Sequence, residues 1–102
     1  MSYDKICIAT GTAANKTSIP GADAKHVYTL RTHKDQESIK KQAAEVTQGI
    51  AIICSSFIGS ESASALKMQY KDKFEIHLIG KESVPMEGAL GKEVGEMLLN
   101  EH

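Results

Sequence analysis

Six consecutive residues, Cys54-Ser55-Ser56-Phe57-Ile58-Gly59, stand between an apolar run and a helix-like segment. In a dinucleotide-binding βαβ unit this junction carries G-x-G-x-x-G, and the pyrophosphate rests on the unpaired N–H groups at the start of the helix. Only the third glycine, Gly59, is present; it lets the helix pack closely on the strand. Cys54 replaces the glycine of the tight turn, and Ser56 the glycine that lets the backbone approach phosphate. The carboxylate that binds a ribose hydroxyl is expected about 20 residues further on, at the end of the next strand. That place falls on Gly80, with Lys81 beside it. Lys81 would suit a 2′-phosphate, and hence NADP, but equally reads as a solvated lysine after a strand. Ser55 and Ser56 likewise have two readings, contact with phosphate or simple capping of the helix.

Other reactive groups are scattered. Thr10-Gly11 ends an apolar run and reads as a plain turn or as a cofactor contact. Cys7 and Cys54 lie far apart in apolar surroundings, where a free cysteine behaves as a small buried hydrophobe. His26, His33, His77 and His102 share no ligand spacing and no carboxylate cluster joins them, so a metal site has little support.

The elements that must position these groups follow from periodicity. Residues 3–9 (YDKICIA) and 27–30 (VYTL) read as strands, separated by a small and polar loop with Pro20-Gly21 as its turn. Thr32 and Asp35 make an N-cap pattern, and Ile39, Ala43 and Val46 then give a helix over 33–47, stopped by Gly49. Residues 50–54 (IAIIC) form a strand apolar on both faces, the kind found inside a parallel sheet. A helix over 57–70, a strand over 74–79 and a final helix through Leu90, Val94, Met97 and Leu98 complete the order, the last weakened by Gly95. The expectation is a small three-layer α/β domain with a parallel sheet. From Ile50 onward it is a Rossmann-like βαβ unit with a right-handed crossover.

Composition narrows the function classes. A length of 102 residues suits one domain, with room for half of a cofactor-plus-substrate site and rarely both halves. Twelve basic against thirteen acidic residues leave no positive surplus for a nucleic-acid partner. No apolar run approaches the roughly 20 residues of a membrane helix, and the first ten residues make no signal peptide. An intracellular protein, cytoplasmic or mitochondrial, is the expectation.

The stretch IAIICSSFIGSESASAL resembles the strand–turn–helix of pyridine-nucleotide–disulfide-oxidoreductase-type flavoproteins, which commonly read VVVGGGFIGLEVA. The likeness is greatest to the ferredoxin/rubredoxin-reductase and apoptosis-inducing-factor-like branch. YDKICIATGTAANKTSIPG is similar to that branch's YDxLxxATG segment, and HVYTLRTHKDQESIKK to its VxxLRTxxDxxxI entry into the nicotinamide domain. LGKEVGEMLLNEH resembles the helix after its second strand. Four matches run in register over nearly the whole chain.

The resemblance implies a central segment of a flavoprotein using FAD and NAD(P)H. Residues 1–31 would be flavin-domain-like strand and linker, and residues 32–102 the nicotinamide-domain-like part, all within one domain. It places Thr10 and Gly11 against the flavin, and Ser55, Ser56, Phe57, Ile58 and Gly59 along the dinucleotide. Glu61 matches a helix glutamate facing the junction of the two cofactors and becomes the catalytic candidate. In the first helical turn it would also suit the helix dipole with no catalytic duty. Because Cys54, Ser56 and Gly80 depart from the pattern, the chain alone is expected to be inactive and to need the rest of a flavoprotein or a partner subunit. The alternative is a non-catalytic interaction or structural module without a cofactor.

Overall fold

The computed structural model describes residues 2–101. The chain divides into two compact units, Met1–Ala44 and Glu45–His102.

In the first unit a long irregular segment leads to helix α1, His33–Glu45. The helix begins where Thr32 and Asp35 predict it. The Asp35 amide donates to Thr32 Oγ1 (3.3 Å), while Asp35 Oδ2 accepts from the Thr32 amide (2.7 Å), the Thr32 hydroxyl (2.8 Å) and the Arg31 amide (3.1 Å). The bond from the Thr32 amide, with those from its hydroxyl and from the Arg31 amide, holds the Asp35 carboxyl below the usual aspartate range. Ala43, on the apolar side of α1, is 1% exposed. The Pro20-Gly21 turn is present: the Ala22 amide donates to the Ile19 carbonyl (3.1 Å) and Gly21 takes φ 91°.

The second unit holds a parallel pair of strands, β1 (Gly49–Ile53) and β2 (Glu75–Ile79), joined by helix α2 (Phe57–Tyr70). The register runs from Gly49 opposite Glu75 to Ile53 opposite Ile79. A helix that carries the chain back along the sheet leaves the second strand parallel to the first, and α2 packs on both strands. The domain is thus a small α/β unit with a Rossmann-like βαβ core. Buried Phe74, 6% exposed, enters β2 with its ring 5.3 Å from that of Tyr70 at the end of α2. After β2 come a short helix α3 (Glu87–Leu90) and the terminal helix α4 (Lys92–Glu101).

Several expectations need correction. Residues 3–9 and 27–30 are not strands: both are irregular, and Ile8 is 80% exposed. An apolar run becomes a strand only where a neighbour offers its hydrogen-bonding edge, and the sheet contains β1 and β2 alone among the described residues. Cys7, read as buried, is exposed accordingly. Strand β1 begins at Gly49, which was expected to stop the preceding helix, and ends before Cys54. It is not buried on both faces, since Ile50 and Ile52 are half-buried while Ile53 is 67% exposed. The final helix is broken at Gly91, whose φ of 84° separates α3 from α4.

Gly95 does more than weaken α4. A Cβ there would overlap Val84 Cγ2 and lie 2.7 Å from the Pro85 carbonyl oxygen, so α4 reaches the buried Val84 only because this residue has no side chain. Helix propensity alone would have Gly95→Ala stabilise the helix by about 1 kcal/mol. Overpacking against backbone costs about 1–3 kcal/mol and reverses the sign. Urea unfolding followed by circular dichroism is expected to show Gly95→Ala less stable than the parent; a midpoint moved upward would mean that α4 does not need this close approach.

Candidate functional site

The site expected at the end of β1 is built around Gly59. A Cβ at this position would overlap the Cys54 carbonyl oxygen and lie 2.7 Å from its carbon and 2.8 Å from Cys54 Cβ. The missing side chain lets the first turn of α2 sit on the chain leaving β1, the packing duty of a third fingerprint glycine. Ser56 occupies the N-cap position with extended backbone (φ −96°, ψ −168°), yet its side chain makes no capping hydrogen bond. Neither serine serves as a side-chain cap, because Ser55 points elsewhere.

The Ser55 hydroxyl donates to Glu82 Oε2 at 2.6 Å, linking the turn after β1 to the loop after β2. This bond, aided by Glu82's own amide and by the nearby Lys81 charge, keeps the Glu82 carboxyl below the ordinary glutamate range. The Met86 amide donates to the Ser55 carbonyl oxygen at 2.7 Å, a second link between the same two loops. Met86 has left-handed backbone (φ 58°), unusual for a residue with a Cβ. Between the loops lies a half-open cavity of about 190 Å³, bounded by Ser55, Ser56 and Glu82 and by residues 86–89. Glu87 also lines it; its Oε2 accepts from the Ser83 hydroxyl (2.8 Å) and amide (2.9 Å), which holds its carboxyl below the usual range. The lining therefore carries two carboxylates and no cationic side chain. Hydroxyl donors suit such a cavity; a pyrophosphate would meet like charge.

Thr10 and Gly11 belong to the first unit. Gly11 has φ 73°, a conformation that favours glycine, and the Arg31 guanidinium nitrogen Nε donates to the Thr12 carbonyl oxygen at 3.0 Å. The other candidates belong to the second unit. Phe57 and Ile58 open α2 with side chains 44% and 64% exposed. Glu61 is exposed and lies beyond the first turn of α2, so the helix-dipole reading fails for it. Lys81 is exposed after β2. Gly80 lies where the ribose-binding carboxylate was expected, and its missing side chain leaves space taken by Ser55: a Cβ there would overlap both Ser55 Oγ and Ser55 Cβ. No group of three or more metal-capable side chains occurs among the described residues, and His102 lies outside them.

Glu82, Met86 and Glu87 were missed by sequence reasoning. For Glu82 a signal existed. It stands two residues past the position searched for an acid, and a loop immediately after a strand can return a long side chain to the strand end.

Comparison with known proteins agrees with this geometry. The family described as pyridine nucleotide-disulphide oxidoreductase matches residues 1–102. The chain is 38% identical over 77 residues to the assimilatory nitrate reductase electron transfer subunit of Bacillus subtilis (strain 168), covering 76% of this chain and 10% of that protein. It is 33% identical over 72 residues to the NADH oxidase of Lactococcus lactis subsp. cremoris (strain MG1363), covering 70% and 16% respectively. Apoptosis-inducing factor 3 of Homo sapiens is 24% identical over 99 residues, 97% of this chain and 16% of the relative. The chain thus spans a small part of each of these longer proteins. No solved structure matches it. With a Rossmann-like βαβ core, a Gly59 junction in the expected place and a family match over its whole length, this chain belongs to the pyridine nucleotide-disulphide oxidoreductases.

Proposed function

We propose that the chain is the NAD(P)H-binding-domain segment of an FAD-dependent pyridine-nucleotide oxidoreductase, with a weakened dinucleotide site and no turnover by itself. The observation that supports this most is the β1–α2 junction, where Gly59 keeps the close packing that a dinucleotide turn requires. Nitrate reductase electron transfer and NADH oxidation, the activities that two relatives are named for, suit hydride transfer between a nicotinamide and a flavin. Here the residues that would hold the nicotinamide dinucleotide are 55–59, with Lys81 at the rim; Thr10 and Gly11 would lie against the flavin and Glu61 at the cofactor junction. The remainder of a flavoprotein or a partner subunit would supply the rest, in an intracellular setting. Among the described residues no helix is long and apolar enough to cross a membrane.

A second reading, a non-catalytic module that retained the fold, draws on one observation: the cavity beside the turn is lined by Glu82 and Glu87 without a compensating cation. The two readings differ in a titration of the 102-residue chain with NADH, followed by amide chemical shifts. The nucleotide-domain reading expects millimolar binding, with the largest shifts at Ser55–Gly59. Unmoved amides there would leave the module reading standing alone.

A further inference from the structure

We infer that Glu82 is this chain's acceptor for the adenosine-ribose hydroxyls, a duty displaced two residues from position 80, and that Ser55 is the positioning residue that holds it. The inference rests on the dinucleotide-domain reading above and extends it to a residue and to a cofactor preference. A side chain at position 80 is blocked by Ser55, whose Oγ and Cβ occupy the place of its Cβ. The Glu82 carboxylate comes in beside that place: its Oε2 lies 3.2 Å from where a Cβ on Gly80 would be. The chain thus lacks an acid at position 80 in sequence and carries a carboxylate beside that position in space.

The surroundings suit the duty. Glu82 is half-buried at the wall of the cavity beside the turn, so it is both fixed and reachable. Its Oε2 is engaged by the Ser55 hydroxyl at 2.6 Å, which sets the orientation of the group. A carboxylate has about four lone-pair sites, so acceptor capacity remains for a vicinal diol. The charges near Glu82 are Lys81, which is exposed, and the Glu87 carboxylate on the same cavity. Two carboxylates accept from hydroxyls and repel a 2′-phosphate, so the site favours NADH over NADPH despite Lys81.

The test uses the full 102-residue chain, with NADH and NADPH each titrated into the parent, Glu82→Gln and Ser55→Ala, and amide shifts read from their initial slope. The parent is expected to favour NADH. Glu82→Gln keeps size and shape while removing the charge; it is expected to weaken NADH by about tenfold and to bring the two nucleotides close to parity. Ser55→Ala leaves the acid and removes its holder. It should weaken NADH less, and should let the Glu82 carboxyl titrate closer to the ordinary glutamate range in carboxyl-carbon spectra. If Glu82→Gln binds NADH as the parent does, with Ser55–Gly59 amides still shifting, the inference fails and the dinucleotide-domain reading survives. If NADH leaves those amides unmoved in the parent, both fail together.

Discussion

Gly59→Ala is expected to unfold the Glu45–His102 unit or to leave it barely stable. The added methyl would overlap the Cys54 carbonyl oxygen and stand 2.7 Å from the carbonyl carbon, and neither atom can swing aside as a flexible side chain would. Relief requires α2 to lift from β1, which loosens the contacts that make the βαβ core. Overpacking costs about 1–3 kcal/mol and occasionally more, and the overlap with a backbone oxygen puts this site at the upper end. The unit has little in reserve, because Phe74 and Val84, at 6% and 7% exposure, are its buried hydrophobic residues among those described. Small domains are marginal in any case. Gly88→Ala is the matched control. Nothing lies within 4 Å of a Cβ at Gly88, which sits inside α3, so that variant should melt at or slightly above the parent temperature. Thermal melts by circular dichroism decide the matter, and a Gly59→Ala protein that melts with the parent would mean that the β1–α2 junction is looser than its geometry requires.

The second large effect is on ligand affinity. Replacing Cys54, Ser55 and Ser56 by glycine together with Gly80→Glu is expected to raise NADH affinity by about tenfold or more: the glycines reopen the turn to pyrophosphate, and the carboxylate introduced by Gly80→Glu takes over the ribose contact from Glu82, whose holder Ser55 is removed. Inclusion of Ser55→Gly follows from the structure. Sequence reasoning alone repairs only the three positions that depart from the fingerprint, Cys54, Ser56 and Gly80. In that triple variant the new side chain at 80 would collide with Ser55. The triple variant should therefore fold less well and gain less affinity than the quadruple one. The glycines carry a stability cost of up to about 1 kcal/mol each through unfolded-chain entropy, and the half-buried Cys54 loses its packing. Parent, triple and quadruple proteins titrated side by side, with folding checked on each, separate these effects. A folded quadruple variant that binds NADH no better than the parent would place the non-catalytic module ahead.

How much of this was legible in the residues depends on how local each signal is. Helix α1 starts at the Thr32–Asp35 box because both partners of that cap lie within one turn, and α2 spans 57–70 as its composition between two strands suggests. The parallel pairing of β1 with β2 follows from the spacing of strand, helix and strand. Gly59 could be recognised because the fingerprint fixes its distance from the strand. These features need only neighbours in sequence.

The remainder depended on partners distant in sequence. The apolar residues of 3–9 carry a strand's composition, but a strand is a hydrogen-bonded pairing, and composition does not reveal whether an edge is available. Gly95 looks like a helix weakness until the approach of Val84 and Pro85 shows what a methyl there would strike. The same holds for the site. Residue identity determined that position 80 lacks a carboxylate and that the turn has lost two glycines. Only the folded chain brought Ser55 and Glu82 within 2.6 Å across 27 residues and set an acid beside position 80. Side-chain reach is set by where loops end in space, and that is decided by packing of whole elements rather than by any window of sequence.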